Sequence, residues 1–248
     1  EKNLIDKTGL AEFAEKYINL NFLVKHFSLK SKPSSVFKNI DRTISKFNKR
    51  IAVSQDEAFH FYYKANFSWL LDQFVEIVRF SPLHDNRVPE NVDGIILGGG
   101  FPEVFAKQIS LNKEMLVSLK KNIDSGIPCY AECGGLMILS QGLKLQSGEF
   151  LSMVGVLPGI VEMTKQLQHF GYCKIDLPEY GEIRGHEFHY SSWSDESKKA
   201  NLWNVIRHST GESRMEGYRL SNLHASYVHL YFPQASTFIR NFFGLPQK

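Results

Sequence analysis

The sequence predicts an α/β fold, a mostly parallel sheet with helices on both faces. Three observations carry that expectation. Apolar runs of strand length alternate with amphipathic stretches between residues 51 and 139, and two of those runs end in glycine clusters, Gly98-Gly99-Gly100 and Gly134-Gly135. The chain's 248 residues, 43% apolar and 22% charged, also suffice to bury one full core with a short appendage. Such alternation calls for crossover units in which each helix packs back onto the sheet.

Taken in order, residues 8–27 place Leu10, Phe13, Ala14, Tyr17, Leu20, Leu23, Val24 and Phe27 at helical spacing, which predicts one or two amphipathic helices. The run from Ser28 to Ser35, polar apart from Leu29 and containing Pro33, breaks them. A boundary is expected near residue 48, where Lys46, Asn48, Lys49 and Arg50 precede the strong strand signal Ile51-Ala52-Val53. Strands are then predicted over 51–54, 75–80, 94–97 and 127–131, with helices over 66–73, 102–124 (one or two) and 136–139. After residue 139 the pattern changes, and strands are predicted over 153–163, 172–177, 183–191 and 225–230 with few helices between them. A closing helix over 233–243 draws its buried face from Phe238, Ile239, Phe242 and Phe243. The chain contains no internal repeat and no low-complexity tract.

Composition excludes several classes of function. No run approaches the ~18–20 consecutive apolar residues of a membrane span, and the start lacks a secretory layout. Twenty-nine Lys and Arg against twenty-six Asp and Glu leave a net charge of +3 without a basic block, so nucleic-acid binding has no electrostatic basis. Cys129, Cys133 and Cys173 form an odd, sparse set, which suits reduced thiols in a cytoplasmic protein rather than a disulfide scaffold. Because the chain opens on Glu1, it is expected to be a fragment.

Cys133 sits where an apolar strand meets a helix, followed at once by two glycines. A tight turn there lifts the side chain out of the sheet, the helix start favours negative charge, and the next backbone N–H can face an oxyanion. A cysteine beside a strand more often packs as a small apolar residue; the double glycine and the strand-to-helix setting argue for a nucleophile instead. Cys129 and Cys173 lack such a turn and are expected to pack. Gly98-Gly99-Gly100 ends the preceding strand and can aim N–H groups at negative charge, although neither G-x-G-x-x-G nor a phosphate loop is present. Of nine histidines, His229 lies at a strand end facing the same sheet edge and is the candidate base. Alternation places His186 on one face of its strand and Glu187 and His189 on the other. A metal site is conceivable there, but two histidines and one carboxylate with no known fourth ligand weigh against it, and none is assigned.

Six ordered blocks resemble the carboxy-terminal half of cobyrinate a,c-diamide synthases. They are Ala58-Phe59-His60-Phe61-Tyr62-Tyr63, Phe80-Ser81-Pro82-Leu83, Leu97-Gly98-Gly99-Gly100-Phe101-Pro102-Glu103, Tyr130-Ala131-Glu132-Cys133-Gly134-Gly135-Leu136-Met137, Arg184-Gly185-His186-Glu187-Phe188-His189-Tyr190-Ser191 and Ala225-Ser226-Tyr227-Val228-His229-Leu230. That half is similar to class I glutamine amidotransferases, whose fold is flavodoxin-like. The resemblance implies that residues 49–248 form the amidotransferase domain, and that residues 1–48 are a linker to, or remnant of, a missing amino-terminal ATP-binding synthetase domain.

The implied activity is hydrolysis of L-glutamine. Cys133 would form a glutamyl thioester, His229 would act as acid and base, and Gly134 with the Gly99–Gly100 turn would supply the oxyanion donors. Ammonia would then amidate the a and c acetate side chains of a corrin precursor in cobalamin biosynthesis. ATP and Mg²⁺ would act in the missing half, and this segment itself would hold no cofactor. Many class I enzymes carry a Glu two positions after the catalytic His, but position 231 is Tyr, which leaves a Cys–His dyad; Glu187 is weighed as a stand-in and not adopted. The resemblance leaves a homodimer open. Two alternatives remain: the same domain of a nickel-sirohydrochlorin a,c-diamide synthase, and a non-catalytic α/β binding module with an inert thiol.

Overall fold

A computed structural model describes residues 7–27, 47–177, 179–194 and 200–247. The chain divides into two compact units, residues 1–43 and 44–248. In the first, α1 (Lys7–Tyr17) and α2 (Leu20–Phe27) form the two helices expected from the apolar spacing. The polar breaker run at 28–35 lies outside the described residues.

The second unit opens with β1 (Lys49–Ser54), α3 (Lys64–Asp72), β2 (Val75–Phe80), β3 (Gly94–Leu97), α4 (Ala106–Leu111), α5 (Lys113–Asp124), β4 (Cys129–Glu132) and α6 (Gly134–Leu139). It continues through β5 (Gly142–Lys144), β6 (Phe150–Ser152), β7 (Val161–Met163), β8 (His169–Leu177), β9 (Gly181–His189), β10 (Ser191–Trp193), β11 (Trp203–Arg207), β12 (Ser213–Glu216), β13 (Tyr218–Leu220), β14 (Leu223–Ser226), β15 (His229–Leu230) and α7 (Ser236–Phe243). Among the described residues, no helix is long and apolar enough to cross a membrane.

The main sheet runs β13-β14-β4-β3-β1-β2. Its four pairings from β14 to β2 are parallel, and β13 joins antiparallel at the edge. This is the doubly wound order in which functional groups gather at the carboxyl ends of the central strands. β3 and β4 are buried along their whole length, which explains why they read as continuous apolar runs. Their side chains nonetheless alternate between two cores. Ala52, Ile95, Leu97, Cys129 and Ala131 pack with Ile109, Met115, Leu119 and Leu136 from α4, α5 and α6 on one face. Ile51, Val53, Ile96 and Tyr130 pack with Leu70 of α3 and Ile239 and Phe243 of α7 on the other.

Two smaller antiparallel-rich sheets, β10-β7-β5-β6 and β12-β11-β8-β9-β15, complete the unit. The sequence-predicted strand at 153–163 shrinks to β7. Gly155 and Gly159 take positive φ values of 74° and 78°, and the backbone N–H groups of Val154 to Leu157 cap the carboxyl end of α6 through Ile138, Leu139 and Ser140. More consequential is 225–230. It is not one strand but two, and β14 and β15 belong to different sheets.

Candidate active site

The site begins at the end of β4, held between β3 and β14 with Ser226 of β14 opposite Glu132. Cys133 follows with φ 46° and ψ −100°, a left-handed geometry that side-chain-bearing residues rarely adopt. Two hydrogen bonds fix it there. Its N–H donates to Ser226 O at 2.7 Å, and its carbonyl accepts from Met137 N–H at 3.0 Å as the first bond of α6. The expected strand-to-helix elbow is therefore present, with the sulfur-bearing side chain only 6% exposed.

Close backbone approach explains the glycines. A Cβ on Gly135 would lie 2.2 Å from Leu97 O, so α6 can start directly over the end of β3 only without a side chain. A Cβ on Gly134 would meet Gly100 N at 3.3 Å, so the glycine turn packs directly against the elbow. Gly99 O accepts from Phe61 N–H at 3.1 Å, and Phe101 N–H donates to Ala58 O at 2.9 Å. A trans peptide sends its C=O and N–H in opposite directions. With the Gly99 carbonyl tied to Phe61, the Gly100 N–H faces the elbow, where it can meet an oxyanion together with the Gly134 N–H.

His229 arrives on β15, paired antiparallel with β9 so that it faces His186. Its imidazole lies against Gly99, where an added Cβ would stand 2.3 Å from Cε1. The edge of Phe61 covers it at a centroid distance of 4.7 Å. The Cys133 thiol lies beside the His229 ring. Its Nδ1 lies 3.3 Å from Glu132 Oε2. Burial opposes charge on this ring, but the neighbouring Cys133 thiol and Glu132 carboxylate outweigh it and raise the imidazole pKa well above its ordinary value. A cavity of about 560 Å³ opens on the His229 side of the pair, lined by Tyr63, Tyr172, Arg184, His186 and Tyr231 among others. Cys133 lies outside its walls.

The structure thus places Cys133, His229, Gly99, Gly100 and Gly134 near one another. Cys129 and Cys173 are buried, free and remote from any turn of this kind. Glu187 is occupied elsewhere. It points into the β8–β9 layer, where its carboxylate meets Arg214 and lies 3.8 Å from His189 Nε2. Burial would push Glu187 up, but His189 and Arg214 hold it down at about 2. The sequence reading missed Glu132. The available signal was an acidic residue closing a fully apolar strand, since carboxylates are almost never buried unpaired.

Comparison with known proteins places these features in context. A profile of the CobB/CobQ-like glutamine amidotransferase domain matches residues 50–237. The chain is 42% identical over 214 residues to a protein of Caldanaerobacter subterraneus subsp. tengcongensis named cobyrinate a,c-diamide synthase, an alignment covering 83% of this chain and 47% of that one. It is 39% identical over 232 residues to the protein of the same name from Clostridium acetobutylicum, covering 90% and 50% respectively. The chain spans about half the length of the curated relatives it matches. Among solved structures, a crystal structure titled glutamine amidotransferase superposes with TM-score 0.58 at 14% identity, over 79% of this chain and 99% of that one, which is a likeness of fold.

Proposed function

Since this chain belongs to the CobB/CobQ-like glutamine amidotransferase family, we propose that it hydrolyses L-glutamine, with Cys133 as nucleophile and His229 as acid and base. The Cys133 thiol on a strained elbow, set beside the His229 imidazole, is the observation that supports this most directly. The sulfur, its proton passed to His229, attacks the side-chain amide carbon. Charge developing on the carbonyl oxygen meets the N–H groups of Gly134 and Gly100. His229 returns the proton to the departing nitrogen, giving ammonia and a γ-glutamyl thioester. The same ring then takes a proton from water as it attacks the thioester, which releases glutamate and restores the thiol.

The names of the curated relatives favour a corrin precursor over nickel-sirohydrochlorin as the final acceptor of the ammonia, with amidation of its a and c acetate groups driven by ATP and Mg²⁺. This chain's residues do not fit those two groups. The sequence has no phosphate loop, and the described residues contain no cluster of three His, Cys, Asp or Glu able to hold a metal ion. No step of the chemistry above runs through either.

Glutamate release from L-glutamine, measured with this chain alone and together with the other half of a curated relative, tests the proposal. Activity abolished by Cys133→Ser supports it. An absence of hydrolysis in both arrangements, with no covalent labelling of Cys133 by a glutamine-like chloroketone, would leave the inert binding module as the better reading.

A further inference from the structure

We propose that Glu132 is the positioning residue of His229, supplying from the strand before the nucleophile the acid that orients the imidazole; this rests on the glutaminase reading above. Three contacts lock its carboxylate. Oε1 accepts from Tyr130 O–H at 2.6 Å and from Leu230 N–H at 2.9 Å, while Oε2 faces His229 Nδ1 at 3.3 Å. Tyr130 and Glu132 are two residues apart on one face of β4, so both side chains reach the same side of the sheet. Leu230 follows His229 directly, so one carboxylate holds both the ring and the backbone that carries it. Glu132 is itself buried.

The arrangement fixes the tautomer. A carboxylate opposite Nδ1 requires the proton on that nitrogen, which leaves Nε2 to exchange a proton with the sulfur. It also supplies the negative charge that lets a buried ring carry a positive one. The titratable or charged groups around His229 are Glu132 from β4, Cys133 at the elbow, His186 from β9, and Tyr63, Tyr172, Cys173, Lys174, Arg184, His208 and Tyr231 around the cavity. Of these, Glu132 hydrogen-bonds the ring at Nδ1. With its oxygens engaged by Tyr130, Leu230 and His229 Nδ1, Glu132 acts through His229 rather than on substrate.

The test is Glu132→Gln, which keeps the shape and removes the charge. In glutamine hydrolysis, kcat falls by about 10- to 100-fold with KM within about twofold, and the alkaline limb of the kcat/KM profile moves to lower pH. Alkylation of Cys133 by chloroacetamide at pH 6 slows, and this second effect vanishes in a His229→Asn background. Glu132→Asp, which retains charge on a shorter arm, gives an intermediate rate and serves if the Gln variant does not fold. Unchanged kcat and pH profile, a change in KM alone, or slowed alkylation that persists without His229 would each overturn the assignment. If the parent chain fails to hydrolyse glutamine, the proposed function falls while the alkylation cycle still decides the role of Glu132.

Discussion

Glu132 and His229 stand 97 positions apart in the chain, yet Glu132 Oε2 and His229 Nδ1 are 3.3 Å apart. Two strand pairings make that distance. β14 runs parallel to β4 with Ser226 opposite Glu132, and the chain then leaves the main sheet at Tyr227 and Val228 to pair His229 with His186 of β9. A single strand through 225–230 would alternate past Glu132. The break lets the imidazole turn back over the elbow.

Strain at the elbow predicts an inverted order of stabilities. Alanine normally exceeds glycine by ~0.5–1 kcal/mol in regular structure, but φ 46° at Cys133 favours glycine. Cys133→Gly is expected to be more stable than Cys133→Ala by about 1 kcal/mol, with both inactive. Urea denaturation of the two variants checks this, and the ordinary order would contradict the strained geometry.

Gly99 is where the imidazole rests. An added methyl group would stand 2.3 Å from His229 Cε1, so Gly99→Ala must push the ring off the sulfur. The expected outcome is a loss of about 100-fold in kcat with the fold retained, because the clash falls on a side chain. Gly135→Ala meets the Leu97 carbonyl instead and is expected to compromise folding, which soluble yield and circular dichroism would distinguish.

Asn66 on α3 clamps the strand that carries His229. Its Nδ2 donates to Leu230 O at 2.9 Å and its Oδ1 accepts from Phe232 N–H at 2.9 Å, both in buried surroundings. Asn66→Ala leaves a buried carbonyl and a buried N–H without partners, at a cost of about 2–4 kcal/mol. Glutaminase activity should fall with it, read as a drop in kcat at temperatures well below the thermal midpoint. An unchanged midpoint would refute the clamp.

His224 predicts acid sensitivity. It is enclosed by Tyr130, Trp203, Phe238 and Phe242, and its Nε2 has no hydrogen-bond partner. Burial, helped by the charge of Arg219, depresses its pKa from 6.5 to about 3. The unfolded chain therefore binds a proton that the folded one refuses between pH 6.5 and about 3, and stability falls as pH drops through that window. His224→Phe removes this term. Its stability relative to the parent should rise progressively from pH 7.5 to pH 5 in urea titrations, and a pH-independent difference would exclude the assignment.

Much of this protein is written locally. Ile51-Ala52-Val53, Gly94–Leu97 and Cys129–Glu132 are buried on both faces, so their apolar character is visible without knowing their neighbours. The elbow is equally legible, because a nucleophile, two glycines and a flanking strand and helix occupy consecutive positions, and the glycine requirement arises from backbone packing at that turn. What the sequence could not reveal depends on register between distant segments. The sequence points to positions 187 and 231, close to histidines in the chain, for an acid behind His229. Parallel pairing of β4 with β14 and the crossing of residues 227–228 into a second sheet put Glu132 beside the ring instead. Periodicity reports which face a residue occupies; only the packed sheets decide which side chain from another strand meets it there.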